Sequence, residues 1–226
     1  MITYFCFKNQ IVQKSKIMKC MKRIAKFLIV FLSVYLCSCS KNDNPTPDKL
    51  SSNSANLNLG FEVRSADNSQ LPDSWYVGIG GQVPVGGESF QCSLDDLEKH
   101  SGKLSLKMEI DNNLPDGEFG VFTNQQPLLI KDFAGKTVEY RGWIKTQGVI
   151  NGNPGLWFNV YDSNNNSLDF GDTYGRVLNG DNNWTQVSVT IDVSKDAVYI
   201  AFGGVLAGKG IAWFDDLELY VNGTKY

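Results

Sequence analysis

From Leu57 onward the sequence alternates apolar and polar residues with a period of two, and Gly, Asn and Asp turns cut it into short runs. Successive side chains of a strand point to opposite faces, so this rhythm commits a segment to β structure with one buried and one wet face. Lys103–Ile110 is the cleanest case. Leu104, Leu106, Met108 and Ile110 share one face, and Lys103, Ser105, Lys107 and Glu109 share the other. Similar runs are 57–63, 118–122, 137–145, 155–161, 185–193, 198–203 and 211–221. No window after Leu57 has a helical period, apart from one turn over 94–99. About ten short strands without a βαβ rhythm predict an all-β domain, a sandwich or jelly roll.

The first 56 residues have a different character. Lys22-Arg23 and Lys26 precede an apolar run, 27–36, which ends in Leu36-Cys37-Ser38-Cys39. Basic flank, short apolar stretch and small-residue cleavage site predict a secretory signal. Those last four residues look like a lipobox, with Cys39 as the lipidated residue. The apolar run falls short of the ~20 residues that span a bilayer. Residues 40–56 are polar and read as a tether. The expected division is therefore a leader and lipoprotein signal over 1–38, a lipidated tether over 39–56, and a β-sandwich over 57–226. The expected location is the outer membrane or cell surface, facing periplasm or exterior, with a lipid anchor as the membrane contact and other surface lipoproteins as possible partners.

Charge and cysteine narrow the function classes. The leader holds seven basic residues and no acid, so its removal leaves 14 of the 21 basic residues against 24 acidic ones. A domain this acidic does not track a phosphate backbone, which excludes nucleic acid as an expected partner. Beyond the leader only Cys39 and Cys92 remain, too few for a cysteine zinc site. The one histidine, His100, lies in a turn before a strand with no triad partners in view. The chain is not expected to be an enzyme. Gly203–Gly210 copies the phosphate-loop glycine spacing, but Gly210 stands where Ser or Thr must hold magnesium. The adjacent pairs Asp95-Asp96 and Asp215-Asp216 are expected to face opposite ways along a strand, and so not to act as an acid and nucleophile pair.

Alternation also singles out spare aromatics. In 137–145, Val138, Tyr140 and Ile144 take the apolar face, leaving Trp143 beside Arg141 and Glu139. In 155–161, Leu156, Phe158 and Val160 point in, and Trp157, Asn159 and Tyr161 point out. If the two strands share a sheet, Trp143, Trp157 and Tyr161 form one outer surface with Arg141 and Asn159, joined by Tyr174 from a following loop. Flat rings beside hydrogen-bonding groups suit sugars, whose C–H faces stack while their hydroxyls bond the polar neighbours. The alternative is a set of rings covered by polypeptide. In 211–221, Ile211, Trp213, Leu217, Leu219 and Val221 form the expected inward set, with Asp215 in the same register and Trp75 also assigned to the core. A buried carboxylate needs a cation or several N–H groups. Glu62 is a candidate companion, and two carboxylates with loop carbonyls suit calcium. A metal-free backbone cap is the competing reading.

Taken in order, several landmarks are similar to a known group. They are Asn58-Leu59-Gly60-Phe61-Glu62, Leu71-Pro72-Asp73-Ser74-Trp75, Ser101-Gly102-Lys103-Leu104-Ser105-Leu106, Gly142-Trp143-Ile144-Lys145-Thr146, Gly155-Leu156-Trp157-Phe158, Asn183-Trp184-Thr185 and Trp213-Phe214-Asp215-Asp216-Leu217. The set resembles the galactose-binding-like jelly rolls, in particular carbohydrate-binding modules. It is closer still to the non-catalytic domain ahead of secreted S41-type peptidases and erythromycin-esterase-like proteins. The resemblance spans roughly 57–223 and implies a structural calcium held by Glu62, Asp215 and carbonyls near His100 and Ser101. The reading that follows is a non-catalytic module binding a polysaccharide or oligosaccharide. The competing class is a protein-interaction or scaffold module with no carbohydrate ligand.

Overall fold

The computed structural model describes residues 57–80, 89–111, 118–126, 128–176 and 179–226. The signal, Cys39 and the tether lie outside them. Among the described residues the strands are β1 (Trp75–Gly80), β2 (Phe90–Asp95), β3 (Ser105–Ile110), β4 (Phe119–Asn124), β5 (Thr137–Ile150), β6 (Pro154–Tyr161), β7 (Ser167–Asp172), β8 (Gly180–Asp192), β9 (Tyr199–Ala207), β10 (Lys209–Val221) and β11 (Thr224–Lys225). They form a five-stranded sheet, β1-β4-β9-β6-β7, and a six-stranded sheet, β2-β3-β10-β5-β8, with β11 paired to β10. The pairings are antiparallel. The result is the expected β-sandwich of jelly-roll type. Among the described residues no helix is long and apolar enough to cross a membrane.

The alternation locates the core correctly in most strands. Leu104, Leu106, Met108 and Ile110 are buried in it, as are Val138, Tyr140 and Ile144 of β5 and Leu156, Phe158 and Val160 of β6. Gly142 also faces inward, where a Cβ would lie 2.3 Å from Leu217 Cδ2, so its missing side chain is what seats that leucine. Phe61, Trp75, Phe122 and Phe202 pack at centroid distances of 5.3–5.8 Å, three of the four contacts edge to face and Phe61–Trp75 tilted, a favoured arrangement of ring quadrupoles.

Three expectations fail, each for a local reason. The run 57–63 is a turn, not a strand: Asn58 and Phe61 have φ of 51° and 58°, and the Phe61 N–H donates to Asn58 O at 3.0 Å. Left-handed backbone curls the chain so that Leu57, Leu59 and Phe61 all enter the core. The Asn58 side chain holds the curl through Val63 and Asp73. Residues 94–99 are the end of β2 and a bend, not a helical turn.

The third failure is in β10. Its pairing with β5 slips between Asp215 and Glu218, and Asp216 has φ 46°. A bulge adds one residue and reverses the phase of alternation. Before it, Ala212 and Phe214 point into the core; after it, Leu217, Leu219 and Val221 do. Ile211 and Trp213 therefore face outward, and Trp213, expected in the core, instead donates its indole N–H to Asp95 Oδ2 at 2.9 Å.

Candidate functional site

The decisive finding for the expected aromatic surface is that β5 and β6 belong to different sheets. Trp143 and Arg141 lie on the outer face of the six-stranded sheet. Trp157, Asn159 and Tyr161 lie on the outer face of the five-stranded one. The five residues do not form one site, and the sandwich separates them.

On the five-stranded sheet the register builds a row across all five strands. Tyr76 pairs with Thr123, Thr123 with Gly203, Gly203 with Trp157, and Trp157 with Asp172. Four strand spacings of about 4.8 Å make the row roughly 19 Å long. Tyr76, 45% exposed, ends it on one side, its ring lying along its own strand over Gly78. The neighbouring row, Gly78, Val121, Val205 and Gly155, is small and apolar. Tyr174 follows β7 on this side, half-buried, its N–H donating to Asp172 Oδ1 at 2.9 Å.

The outward direction of Trp157, Asn159 and Tyr161 is as expected, but their exposure is not. They are 7%, 7% and 5% exposed. Tyr161 stacks on Tyr199 at 4.5 Å and 10°. The Asn159 amide donates to Tyr161 Oη at 2.9 Å, and its carbonyl accepts from Ser167 Oγ at 2.7 Å. Asn159 and Tyr161 thus satisfy each other and serve the fold. Trp157 differs: its Nε1–H has no hydrogen-bond partner among the described residues. Leaving such a buried donor unpaired costs about 1–3 kcal/mol.

The outer face of the six-stranded sheet is charged and crossed by the loop between β2 and β3. His100 stacks on Trp143 at 4.0 Å and 16°, with its edge to Trp184 at 5.6 Å. His100 Nδ1 lies 2.6 Å from Asp216 Oδ2, and Ser101 Oγ donates to Asp216 Oδ1 at 2.8 Å. Glu98 pairs with Lys145 at 2.8 Å. His100, Ser101 and an aspartate are thus together, but the serine bonds the carboxylate and not the imidazole, so no nucleophile–base contact exists.

Asp215, with 0% exposure, accepts the N–H groups of His100 at 2.8 Å and Ser101 at 3.1 Å on Oδ2, and that of Asp216 at 2.7 Å on Oδ1. Burial raises its pKa to about 6, and the N–H bonds limit the rise. The bulge brings Asp215 and Asp216 onto the same loop, contrary to the opposed directions a regular strand predicts. Glu62 Oε1 accepts the N–H groups of Lys103 at 2.8 Å and Leu104 at 3.3 Å. Gly102, just before them in the chain, has φ +60°, and its Cβ would fall 2.0 Å from that oxygen. The proposed calcium residues Glu62, Asp215 and Ser101 do converge on one loop. Asp215 and Glu62 aim their oxygens at backbone N–H groups, as a metal-free cap requires, while Ser101 Oγ donates to Asp216. No group of three or more His, Cys, Asp or Glu among the described residues could hold a metal ion.

Further along this face, Arg141 donates from Nε to Glu218 at 2.7 Å and from Nη2 to Tyr220 Oη at 2.6 Å, with its guanidinium 4.2 Å over the Tyr220 ring. Burial raises the Glu218 pKa, but the bonds from Lys225 and Arg141 outweigh it, and the net shift is downward. Arg141 is thereby held against Glu218 and Tyr220. Of the residues that matter here, Asp216, Trp184, Glu218 and Lys225 were missed. No local pattern marks them, because the bulge and the loop crossing bring them together.

No family model matches the chain. It is similar to the uncharacterized HTH-type transcriptional regulator YbfP of Bacillus subtilis, with 29% identity over 126 residues, 56% of this chain. The match spans only 42% of that relative's length. Among solved structures it is similar to the CBM22-1 xylan-binding domain of Paenibacillus barcinonensis Xyn10C, at 11% identity and TM-score 0.45, covering 72% of this chain and 91% of that one. It is also similar to the enzymatically active domain of bacteriophage CBA120 tailspike protein 4, at 11% identity and TM-score 0.48, covering 66% of this chain and 19% of that one.

Proposed function

We propose that this chain is a non-catalytic glycan-binding module whose platform is the outer face of the five-stranded sheet, along the row from Tyr76 to Asp172. The observation that carries the reading is the unpartnered Nε1–H of Trp157, set in a row that also holds the exposed ring of Tyr76 and the carboxylate of Asp172. Once a shift of the ring uncovers its N–H group, which solvent does not reach in this structure, a sugar hydroxyl would accept from the indole, another would donate to Asp172, and pyranose C–H faces would stack on Tyr76. Gly203 adds no side chain to the row, and Gly78 leaves the space over which the Tyr76 ring lies. Compared with the surface expected from sequence, Trp157 and Tyr174 stay in the site, while Trp143, Arg141, Asn159 and Tyr161 leave it.

The module would work at a membrane surface, held by lipid on Cys39 through the 40–56 tether. Palmitate labelling of the full chain, lost in Cys39→Ala, tests that part. Glycan binding is tested by affinity electrophoresis of the full chain in detergent, through gels carrying xylan, β-glucan or galactomannan. Trp157→Phe keeps a ring and removes only the N–H group. It should lower retention about tenfold, the effect of one buried hydrogen bond of ~1.4 kcal/mol. Retention equal to the parent protein overturns this site. A co-purifying protein with no gel retarding the parent protein would favour the scaffold class instead.

A further inference from the structure

We propose a second glycan site on the opposite side of the sandwich, in the groove between the turn at Leu59-Gly60 and the C-terminal hairpin. It shares with the proposed function the class of ligand but not the location. The groove has a volume of about 510 Å³ and is lined by Trp143, Asp216, Glu218, Lys225, Gly60 and Leu59 among others. That volume falls within the ~300–1,000 Å³ common for small-molecule sites.

Each polar wall is fixed before any ligand arrives. Trp143 has one ring face against His100, so the indole is held in place and its remaining surface lines the groove. Asp216 is anchored by His100 and Ser101. Glu218 is anchored from one side by Arg141 and from the other by Lys225, whose Nζ lies 2.6 Å from Oε1. Lys225 reaches it because Asn222 and Gly223, at φ 49° and 78°, form the tight turn that folds β11 back on β10. Groups already held in place lose little entropy on binding.

The charges choose the ligand class. A carboxylate presents about four acceptor sites and an ammonium three donors. Asp216 uses two of its sites on His100 and Ser101, Glu218 keeps a site beyond its Arg141, Tyr220 and Lys225 bonds, and Lys225 spends one donor on Glu218. A cation would meet Lys225 with Arg141 behind it, and an anion would meet two carboxylates. A neutral ring with hydroxyls that both donate and accept, and with a C–H face for the indole, matches both signs at once. The groove thus fits a pyranose unit. With sites on both sheets, one molecule would bridge two glycan strands or gain avidity on one polymer.

The test uses the full chain in detergent and the same xylan, β-glucan and galactomannan gels. Lys225→Ala, at a side chain 58% exposed, spares the fold, and Trp143→Ala removes the stacking surface; melting curves verify both. Each should weaken retention in at least one gel about three- to tenfold, and adding Trp157→Phe should lower what remains by about tenfold more. If neither substitution changes retention in any gel while Trp157→Phe lowers it, the second site is overturned and the first stands. If Trp143→Ala and Lys225→Ala weaken retention and Trp157→Phe does not, the second site stands and the platform on the five-stranded sheet falls. If no gel retards the parent protein, both are overturned.

Discussion

The two outer faces of this sandwich come from the same period-two strands and solve different problems. On the five-stranded sheet the outward residues around Trp157 are aromatic, small or uncharged, with Asp172 at one end of the row. On the six-stranded sheet they form a mesh of Arg141, Glu218, Lys225, Lys145 and Glu98, under a loop pinned by Asp215 and Asp216. The first face leaves one donor unpaired; the second anchors Asp216 and Glu218 from several sides and still leaves each an acceptor site. On the first face a ligand would complete a missing bond. On the second it would use sites left over from bonds that hold the chain to itself.

Substitutions sharpen this contrast. The largest effect is expected for Asp215→Ala, which strands the N–H groups of His100, Ser101 and Asp216 and should cost about 3 kcal/mol in urea unfolding. Asp216→Ala, at a partly exposed side chain, should cost about 1 kcal/mol. Equal losses would show that the loop is not held by the buried carboxylate. Asp215 also gives the face a pH signature. Its folded pKa, about 6, is above the ordinary ~3.9, so the folded state binds more protons between those values. The stability Asp215 contributes is therefore present below pH about 4 and lost as pH rises to about 6. Wild-type stability relative to Asp215→Asn should fall across that window, and a rise would reverse the assignment.

Smaller effects separate the faces further. Tyr161→Phe removes the acceptor of the Asn159 amide and should cost about 1 kcal/mol without altering glycan retention. Lost retention would return Tyr161 to the site. Arg141→Ala breaks a half-exposed network worth about 0.5–1 kcal/mol, and the difference should shrink in 1 M salt. The smallest effect concerns calcium: with Asp215 and Glu62 acting as backbone caps, EDTA should leave the melting temperature unchanged. A drop of several degrees would restore the metal reading.

Much of the fold was legible because burial imposes alternation one strand at a time. The inward sets of β3, β5 and β6 needed only that rule. The turn at 57–61 misled because Leu57, Leu59 and Phe61 are spaced as in a strand, while left-handed φ at Asn58 and Phe61 sends all three inward. Trp213 misled because its strand continues to alternate on paper through a bulge that reverses the phase. The conversion of Trp157 from an exposed ring to a buried one was equally invisible, since alternation tells direction and not depth.

By itself the sequence determined that the domain is all-β, which side chains share a face of a regular strand, and that Asp215 needs partners. Tertiary structure alone decided that β5 and β6, three residues apart, run in opposite sheets, and so that Trp143 and Trp157 never meet. The physical reason is that side-chain period is a local property of one strand, whereas sheet membership is set by which ladder of distant N–H and C=O groups that strand completes.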